Sequence, residues 1–198
     1  MSKTLDYYNK NAKQFADETF DADIATIRDR FTDKLSSSDL REAIILDWGC
    51  GSGRDALAFK EAGFIVEATD ASYELCKIAS EKTGIAVRCE RFDELKCVEK
   101  YDGIWACASL LHVAKKDLPG VISIAKSALK RTGVLYASFK YGIFEGEHKE
   151  REFTFLTEDS LTDIIKEVDA VEIIDLWKST DVRRGVDVDW LNVMIRKM

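Results

Sequence analysis

Residues Ile44–Gly53 read IILDWGCGSG, an apolar run of strand length that passes directly into three glycines at alternate positions, Gly49, Gly51 and Gly53. Glycine lets a backbone turn sharply and leaves no side chain between the main chain and a ligand. Arg54–Ala62 then has helical spacing and stops at Gly63, a residue suited to the left-handed conformation just past a helix end. Strand, glycine loop and helix N-terminus in that order form a cradle for a nucleoside-bearing cofactor.

The alternation continues. Strands are expected at Phe64–Thr69, Ile85–Cys89, Asp102–Ala108 and Val134–Phe139, with helices at Tyr73–Lys82, capped by Ser72 and ended by Gly84, and at Leu118–Lys130, with Pro119 in its first turn and Gly133 beyond it. Strands separated by helices imply right-handed crossovers and a largely parallel sheet covered on both faces. After a Gly- and charge-rich linker, Gly142–Glu152, a helix opens at Thr157 with Glu158 and Asp159 in its first turn. Val171–Lys178 and Val188–Arg196 follow as strands joined by a tight turn around Arg183–Gly185, which requires antiparallel pairing. The expected fold is α/β, a doubly wound, mostly parallel seven-stranded sheet with a C-terminal antiparallel hairpin.

Ahead of this core, Asp21–Leu35 places Ile24, Ile27, Phe31 and Leu35 at helical spacing and reads as an amphipathic helix ending before a turn at Ser36–Ser38. Upstream, Tyr7, Tyr8, Phe15 and Phe20 are interleaved with polar residues, so they either dock a helix on the core or cover a ligand. We read residues 1–198 as one domain, with 1–43 as a helical cap and 44–198 as the α/β core.

Charge and composition narrow the function classes. The net charge of −7 argues against a broad nucleic-acid footprint, which needs clustered Lys and Arg; the pairs Lys115–Lys116 and Arg183–Arg184 read as solvated turns or helix ends. No apolar run approaches the roughly 20 residues that span a bilayer, and the N-terminus lacks the apolar core of a signal peptide, so a cytoplasmic protein without membrane attachment is expected, monomeric or dimeric. The five cysteines, Cys50, Cys76, Cys89, Cys97 and Cys107, never form a CxxC pair and read as buried free thiols. His112 and His148 lie far apart with no cysteine at ligand spacing, which argues against a metal site.

Two cofactor classes compete for the glycine loop. Gly51–Ala56, GSGRDA, also satisfies the dinucleotide pattern GxGxxA, and a nicotinamide-dependent oxidoreductase would use it. Asp47, just before the first glycine, would repel a pyrophosphate but suits a ligand carrying cationic groups. S-adenosylmethionine carries an ammonium and a sulfonium.

Asp47-Trp48-Gly49-Cys50-Gly51-Ser52-Gly53 resembles the first motif, acidic-x-Gly-x-Gly-x-Gly, of the class I S-adenosylmethionine-dependent methyltransferases, and the order of elements is similar along nearly the whole chain. The nearest likeness is to the small bacterial type 11/12, tellurite-resistance-like group. The resemblance implies that Gly49, Cys50, Gly51, Ser52 and Gly53 hold the methionine portion and that Asp70, with Ala71 beside it, grips the ribose hydroxyls. It implies that Phe92 and Asp93 cradle adenine, that Ala108 lies beside the methyl group within the WACASLLHV segment, and that Tyr8 and Asn11 fold over the cofactor. His112, just beyond, is the candidate general base, against a plain backbone-bonded histidine. Lys140, Tyr141 and Trp190 are candidate acceptor-site residues. The expected reaction is methyl transfer to a small-molecule acceptor, releasing S-adenosyl-L-homocysteine. A non-catalytic S-adenosylmethionine-binding protein and a methyltransferase acting on a macromolecule, through a basic face around Lys115, Lys116, Lys140 and Lys149, remain the alternatives.

Overall fold

A computed structural model describes residues 3–36, 41–183 and 185–198. Ser37, Ser38 and Arg184, on which the expected Ser36–Ser38 turn and Arg183–Arg184 pair partly fall, lie outside the described residues. In chain order the elements are α1 (Lys3–Thr19), α2 (Ala25–Thr32), β1 (Ile44–Trp48), α3 (Arg54–Glu61), β2 (Ile65–Asp70), α4 (Tyr73–Thr83), β3 (Arg88–Cys89) and β4 (Tyr101–Ala106). They continue with α5 (Leu118–Ala128), β5 (Leu129–Lys140), β6 (Glu145–His148), β7 (Arg151–Thr154), α6 (Glu158–Lys166), β8 (Val171–Thr180) and β9 (Asp189–Lys197). Short 3-10 turns lie at Phe92–Glu94, Leu110–His112 and Lys115–Asp117.

One sheet takes seven strands in the order β3-β2-β1-β4-β5-β9-β8. β1 pairs in parallel with β2 and β4, and β4 with β5. β9 runs antiparallel to both β5 and β8. The expected doubly wound sheet and C-terminal hairpin are present. Strand order reverses between β1 and β4, which opens a crevice at their carboxyl ends.

The helix signals held where a side chain supplies a cap. Ser72 accepts from the Leu75 N–H at 3.3 Å, α4 ends at Gly84 (φ 65°), and Thr157 accepts from the Ser160 N–H at the start of α6. Other boundaries moved for local reasons. The expected third strand Ile85–Cys89 shrinks to two residues, because Thr83 Oγ1 and Ser80 Oγ on α4 accept the Ile85 and Val87 amides that a strand ladder would use. The Asp21–Leu35 helix is confined to Ala25–Thr32; the Asp23 carboxylate accepts from the Ala25 N–H and forms a turn ahead of it. The Gly142–Glu152 linker instead contains the β6–β7 hairpin, turned at Lys149 and Glu150 with φ of 50° and 61°. Asn-Gly or Asp-Gly usually marks a turn with two positive φ angles. Lys-Glu gave no such signal.

α2 covers one face of the sheet through Phe31, which is fully buried against Trp105 (centroids 5.2 Å), Phe59 (5.9 Å) and Tyr136 (6.4 Å). Gly103 on β4 makes room for it: a Cβ there would stand 2.6 Å from Phe31 Cζ. Among the described residues no helix is long and apolar enough to cross a membrane.

Phe31→Ala removes a fully enclosed ring, so equilibrium unfolding in urea is expected to show a loss of about 3–5 kcal/mol. A loss below about 1 kcal/mol would mean that α2 does not pack on the sheet as described.

Candidate active site

The chain leaves β1 and turns at Gly49, Gly51 and Gly53, all with positive φ. The loop is tied to the end of β2: the Gly49 and Cys50 amides both donate to the Thr69 carbonyl, at 2.8 and 2.9 Å, and the Gly51 amide donates to Asp70 Oδ2 at 2.9 Å. A Cβ at Gly49 would lie 2.5 Å from Ser109 Cβ, so glycine is what lets this loop meet the loop after β4. Gly53 faces α4 instead; its Cβ would meet Thr83 Cγ2 at 2.7 Å, and it does not line the cavity described below.

Three carboxylates surround the loop. Asp55, at the start of α3, is 5% exposed and accepts from Arg54 Nε and Nη2 (3.0 and 2.7 Å), Arg28 Nη1 (2.8 Å) and Trp105 Nε1 (2.9 Å). Burial alone would raise its pKa, but Arg54, Trp105 and Arg28 hold it below the ordinary aspartate value. Asp70 accepts from Gly51 and from the Ser72 amide (2.8 Å); burial nevertheless shifts it upward. Asp47 is 2% exposed, its Oδ2 has no hydrogen-bond partner, and burial together with the charge of Asp55 pushes its pKa well up. A buried acceptor left open costs about 1–3 kcal/mol.

These residues bound a cavity of about 800 Å³ at the carboxyl ends of the strands. Tyr8, Asn11, Asp47, Gly49, Cys50, Gly51, Ser52, Asp70, Ala71, Phe92, Asp93, Ala108 and His112 all line it. Phe92 sits edge-on to Trp48 at 4.9 Å, and Asp93 pairs with Arg91 at 3.0 Å. Ala108 has φ 51°, a left-handed conformation that a non-glycine residue adopts only under constraint; its amide donates to Ser138 Oγ at 2.8 Å. Of the acceptor-side candidates, Lys140 and Trp190 line the cavity and Tyr141 does not. Lys115, Lys116 and Lys149 do not reach it either, so the four lysines form no common concave face there.

α1 roofs the cavity. Asn11 interrupts its helical geometry (φ −110°, ψ 16°) and donates to the Tyr7 carbonyl. Upstream, Asn9 Oδ1 accepts from Ser72 Oγ at 2.8 Å, which fastens α1 to α4. His112 Nδ1 lies 2.6 Å from the Glu152 carbonyl, an acceptor only, so we assign the proton to Nδ1; Nε2 then accepts from the Tyr8 hydroxyl at 2.8 Å. The imidazole therefore holds an available lone pair only when the Tyr8 hydroxyl is displaced.

Asp55, Arg28, Arg151 and the Asp181–Arg183 pair were not singled out from the sequence. Asp55 sits beside Arg54 within GSGRDA, and that adjacency was the one available signal. Arg151 lies in a charged run where nothing distinguishes a cavity residue from a solvated one. All five cysteines are free, but only Cys50 and Cys76 are buried as expected; Cys97 and Cys107 are half-buried and Cys89 is exposed. No cluster of three or more metal-ligating side chains occurs among the described residues.

Burial lowers the His112 pKa to about 4, and the nearby Arg151 and Lys140 act in the same direction. Its value when unfolded is near 6.5, so between these values the unfolded chain binds a proton that the folded one does not. Stability is therefore unaffected by this group above about pH 6.5 and falls as pH drops toward 4. NMR titration of the imidazole, assigned with His112→Gln, is expected to give a midpoint near 4. A midpoint at or above the ordinary value of 6.5 would contradict the buried, neutral state.

Residues 45–133 match a family model described as a methyltransferase domain; this model does not single out the tellurite-resistance-like group. No curated protein sequence matches significantly. Among solved structures, the chain is similar to an S-adenosylmethionine-dependent methyltransferase from Methanosarcina mazei (18% identity, 89% of this chain and 99% of that one, TM-score 0.74). It is also similar to the Burkholderia thailandensis 1,6-didemethyltoxoflavin-N1-methyltransferase bound to its substrate and S-adenosylhomocysteine (21%, 100% and 92%, TM-score 0.65). A 4+2 cyclase shares the fold as well (16%, 100% and 97%, TM-score 0.72), so the fold hosts more than one chemistry. Residues 45–133 thus match a methyltransferase-domain model, and the chain has the fold of class I S-adenosylmethionine-dependent methyltransferases.

Proposed function

We propose that this cavity binds S-adenosylmethionine and that the protein directs its methyl group to a small-molecule acceptor, releasing S-adenosylhomocysteine. The observation that carries this reading is Asp47. Asp47 lines the cavity beside the glycine loop and its buried Oδ2 has no partner, so a cationic ligand group there, directly or through a water, would satisfy it, whereas a pyrophosphate would add a further negative charge. That favours a cationic cofactor over the dinucleotide that GSGRDA alone would admit.

When bound, the cofactor supplies an electrophilic methyl group on a sulfonium. Gly49, Cys50, Gly51 and Ser52 would hold the amino-acid portion, with Gly53 setting the loop from behind. The Asp70 carboxylate is held by the Gly51, Ser72 and Ala71 backbone amides, and its remaining acceptor capacity would take the ribose hydroxyls. Ala71, Phe92 and Asp93 would flank the adenine. Ala108 presents only a methyl side chain where the acceptor must approach, and Tyr8 and Asn11 would close the roof and exclude water. His112 would take a proton from an acceptor hydroxyl that replaces the Tyr8 hydroxyl at Nε2.

A small acceptor is supported by the roof that α1 places over the cavity and by the substrate named for the Burkholderia neighbour. The free thiols suit a reducing, cytoplasmic setting, and the protein would work as a monomer or dimer.

Calorimetry with S-adenosylmethionine, S-adenosylhomocysteine and NAD is expected to give saturable heats for the first two and none for NAD. Asp70→Ala is expected to weaken cofactor binding about 10-fold or more, as loss of charge-assisted hydrogen bonds implies, while unfolding stays cooperative. Binding of NAD alone would replace this reading with an oxidoreductase. S-adenosylmethionine binding with no turnover across a broad acceptor panel would leave a cofactor-binding protein without catalysis.

A further inference from the structure

Five cationic side chains line the cavity: Arg54, Arg91, Lys140, Arg151 and Arg183. Three are neutralised by carboxylates. Arg54 pairs with Asp55 at 2.7 Å, Arg91 with Asp93 at 3.0 Å, and Arg183 with Asp181 at 2.8 Å. Lys140 and Arg151 have no carboxylate within ion-pair distance among the described residues.

These two occupy one place. Lys140, the last residue of β5, sets its Nζ 4.4 Å from the Phe153 ring centroid, and Arg151, at the start of β7, sets its Cζ 5.1 Å from the same ring. Arg151 also lies 4.4 Å from the Tyr7 ring, and its Nε is buried without a hydrogen-bond partner. His112 packs on Phe153 as well, at 4.9 Å. Aromatic faces let the two cations stay charged in a partly desolvated wall, and although Arg151 also bonds the Tyr8 side chain, its Nε stays unfilled. Cations so enclosed are normally paired.

We propose that Lys140 and Arg151 bind an anionic group of the methyl acceptor, a carboxylate or phosphate on an aromatic or otherwise apolar body. Charge supports the assignment. Burial lowers the Lys140 pKa, and Arg151 and Arg183 lower it further, so the cations repel one another until an anion lies among them. Asp181 opposes this but is already held by Arg183 and by Trp190 Nε1 at 3.1 Å. Phe153, Tyr7 and Trp190 supply the apolar wall for the rest of the molecule. A guanidinium matches a carboxylate or phosphate edge with two parallel hydrogen bonds. The site lies next to His112, so an acceptor anchored here by its anion would present a neighbouring hydroxyl or amine to the methyl-transfer position.

This assignment rests on the methyltransferase reading, and one titration separates the two. Hydroxybenzoates and hydroxycinnamates, each alongside its uncharged primary amide, are titrated into protein saturated with S-adenosylhomocysteine. At least one carboxylate is expected to bind, with its amide at least 10-fold weaker. Lys140→Met and Arg151→Met are each expected to weaken the carboxylate about 10-fold and leave the amide unchanged, while Lys140→Arg and Arg151→Lys retain most of the affinity. Lys116→Met, the same charge change on an exposed residue outside the cavity, is expected to change nothing. S-adenosylhomocysteine affinity should be equal in all variants. Equal binding of acids and amides, or no acid binding to protein that binds S-adenosylhomocysteine normally, would overturn the anion site. Failure of S-adenosylhomocysteine itself to bind would instead sink the cofactor reading, and the acid–amide comparison made on the cofactor-free protein would then decide the anion site.

Discussion

Asp55 takes four hydrogen bonds from Arg28 on α2, Arg54 on α3 and Trp105 on β4, so a single buried carboxylate ties three elements together behind the glycine loop. Uncompensated, such a charge would be among the most costly groups to bury; with a full set of donors it becomes a fixed point of the fold. Removing one partner would leave the others exposed to that cost. The loop's position depends on this point, because α3 begins immediately after Gly53 and cannot shift without breaking it. Burial, and then the same Asp55 charge, raises the pKa of Asp47 next to it, whose second oxygen has no donor among the described residues. Compensation is therefore graded: complete at Asp55, supplied by backbone amides at Asp70, and unfinished at Asp47.

The unfinished part lies in the cavity wall. The same wall carries Asp47 and Asp70 and also Lys140 and Arg151, the last two without carboxylate partners among the described residues. A ligand with a cationic group for the first pair and an anionic group for the second would complete both at once. Above them, α1 is fastened by contacts that are individually modest: Asn9 to Ser72, Thr4 Oγ1 to the Glu152 amide at 2.8 Å, and the exposed Lys3–Glu147 pair. An exposed ion pair contributes about 0–1 kcal/mol. The roof is also held by Tyr8 on His112 and by buried Ala12 and Ala16, whereas the floor is set by the fully bonded Asp55.

The parts legible in the sequence were those in which a residue type dictates its own local geometry. Glycines at 49, 51 and 53, the Ser72 and Thr157 caps and the Gly84 stop all act within a few residues, and the apolar strands follow from their spacing. Sequence failed where no residue type announces the outcome, whether the deciding group is near or far. β3 was shortened by hydroxyls on α4, and the β6–β7 turn forms at Lys149 and Glu150 without a turn-forming pair. Gly103 shows its purpose only once Phe31 is seen above it. Arg183 and Arg151 look equally solvated in the sequence, and only the fold shows that one meets a carboxylate and the other meets aromatic rings.

A crystal structure with S-adenosylhomocysteine tests the central claim most directly. The ribose hydroxyls should lie within hydrogen-bond distance of both Asp70 oxygens, and the ligand's ammonium, directly or through one ordered water, should satisfy Asp47 Oδ2. A ligand bound away from the Gly49–Ser52 loop, or one that leaves Asp47 Oδ2 still without a donor, would contradict it.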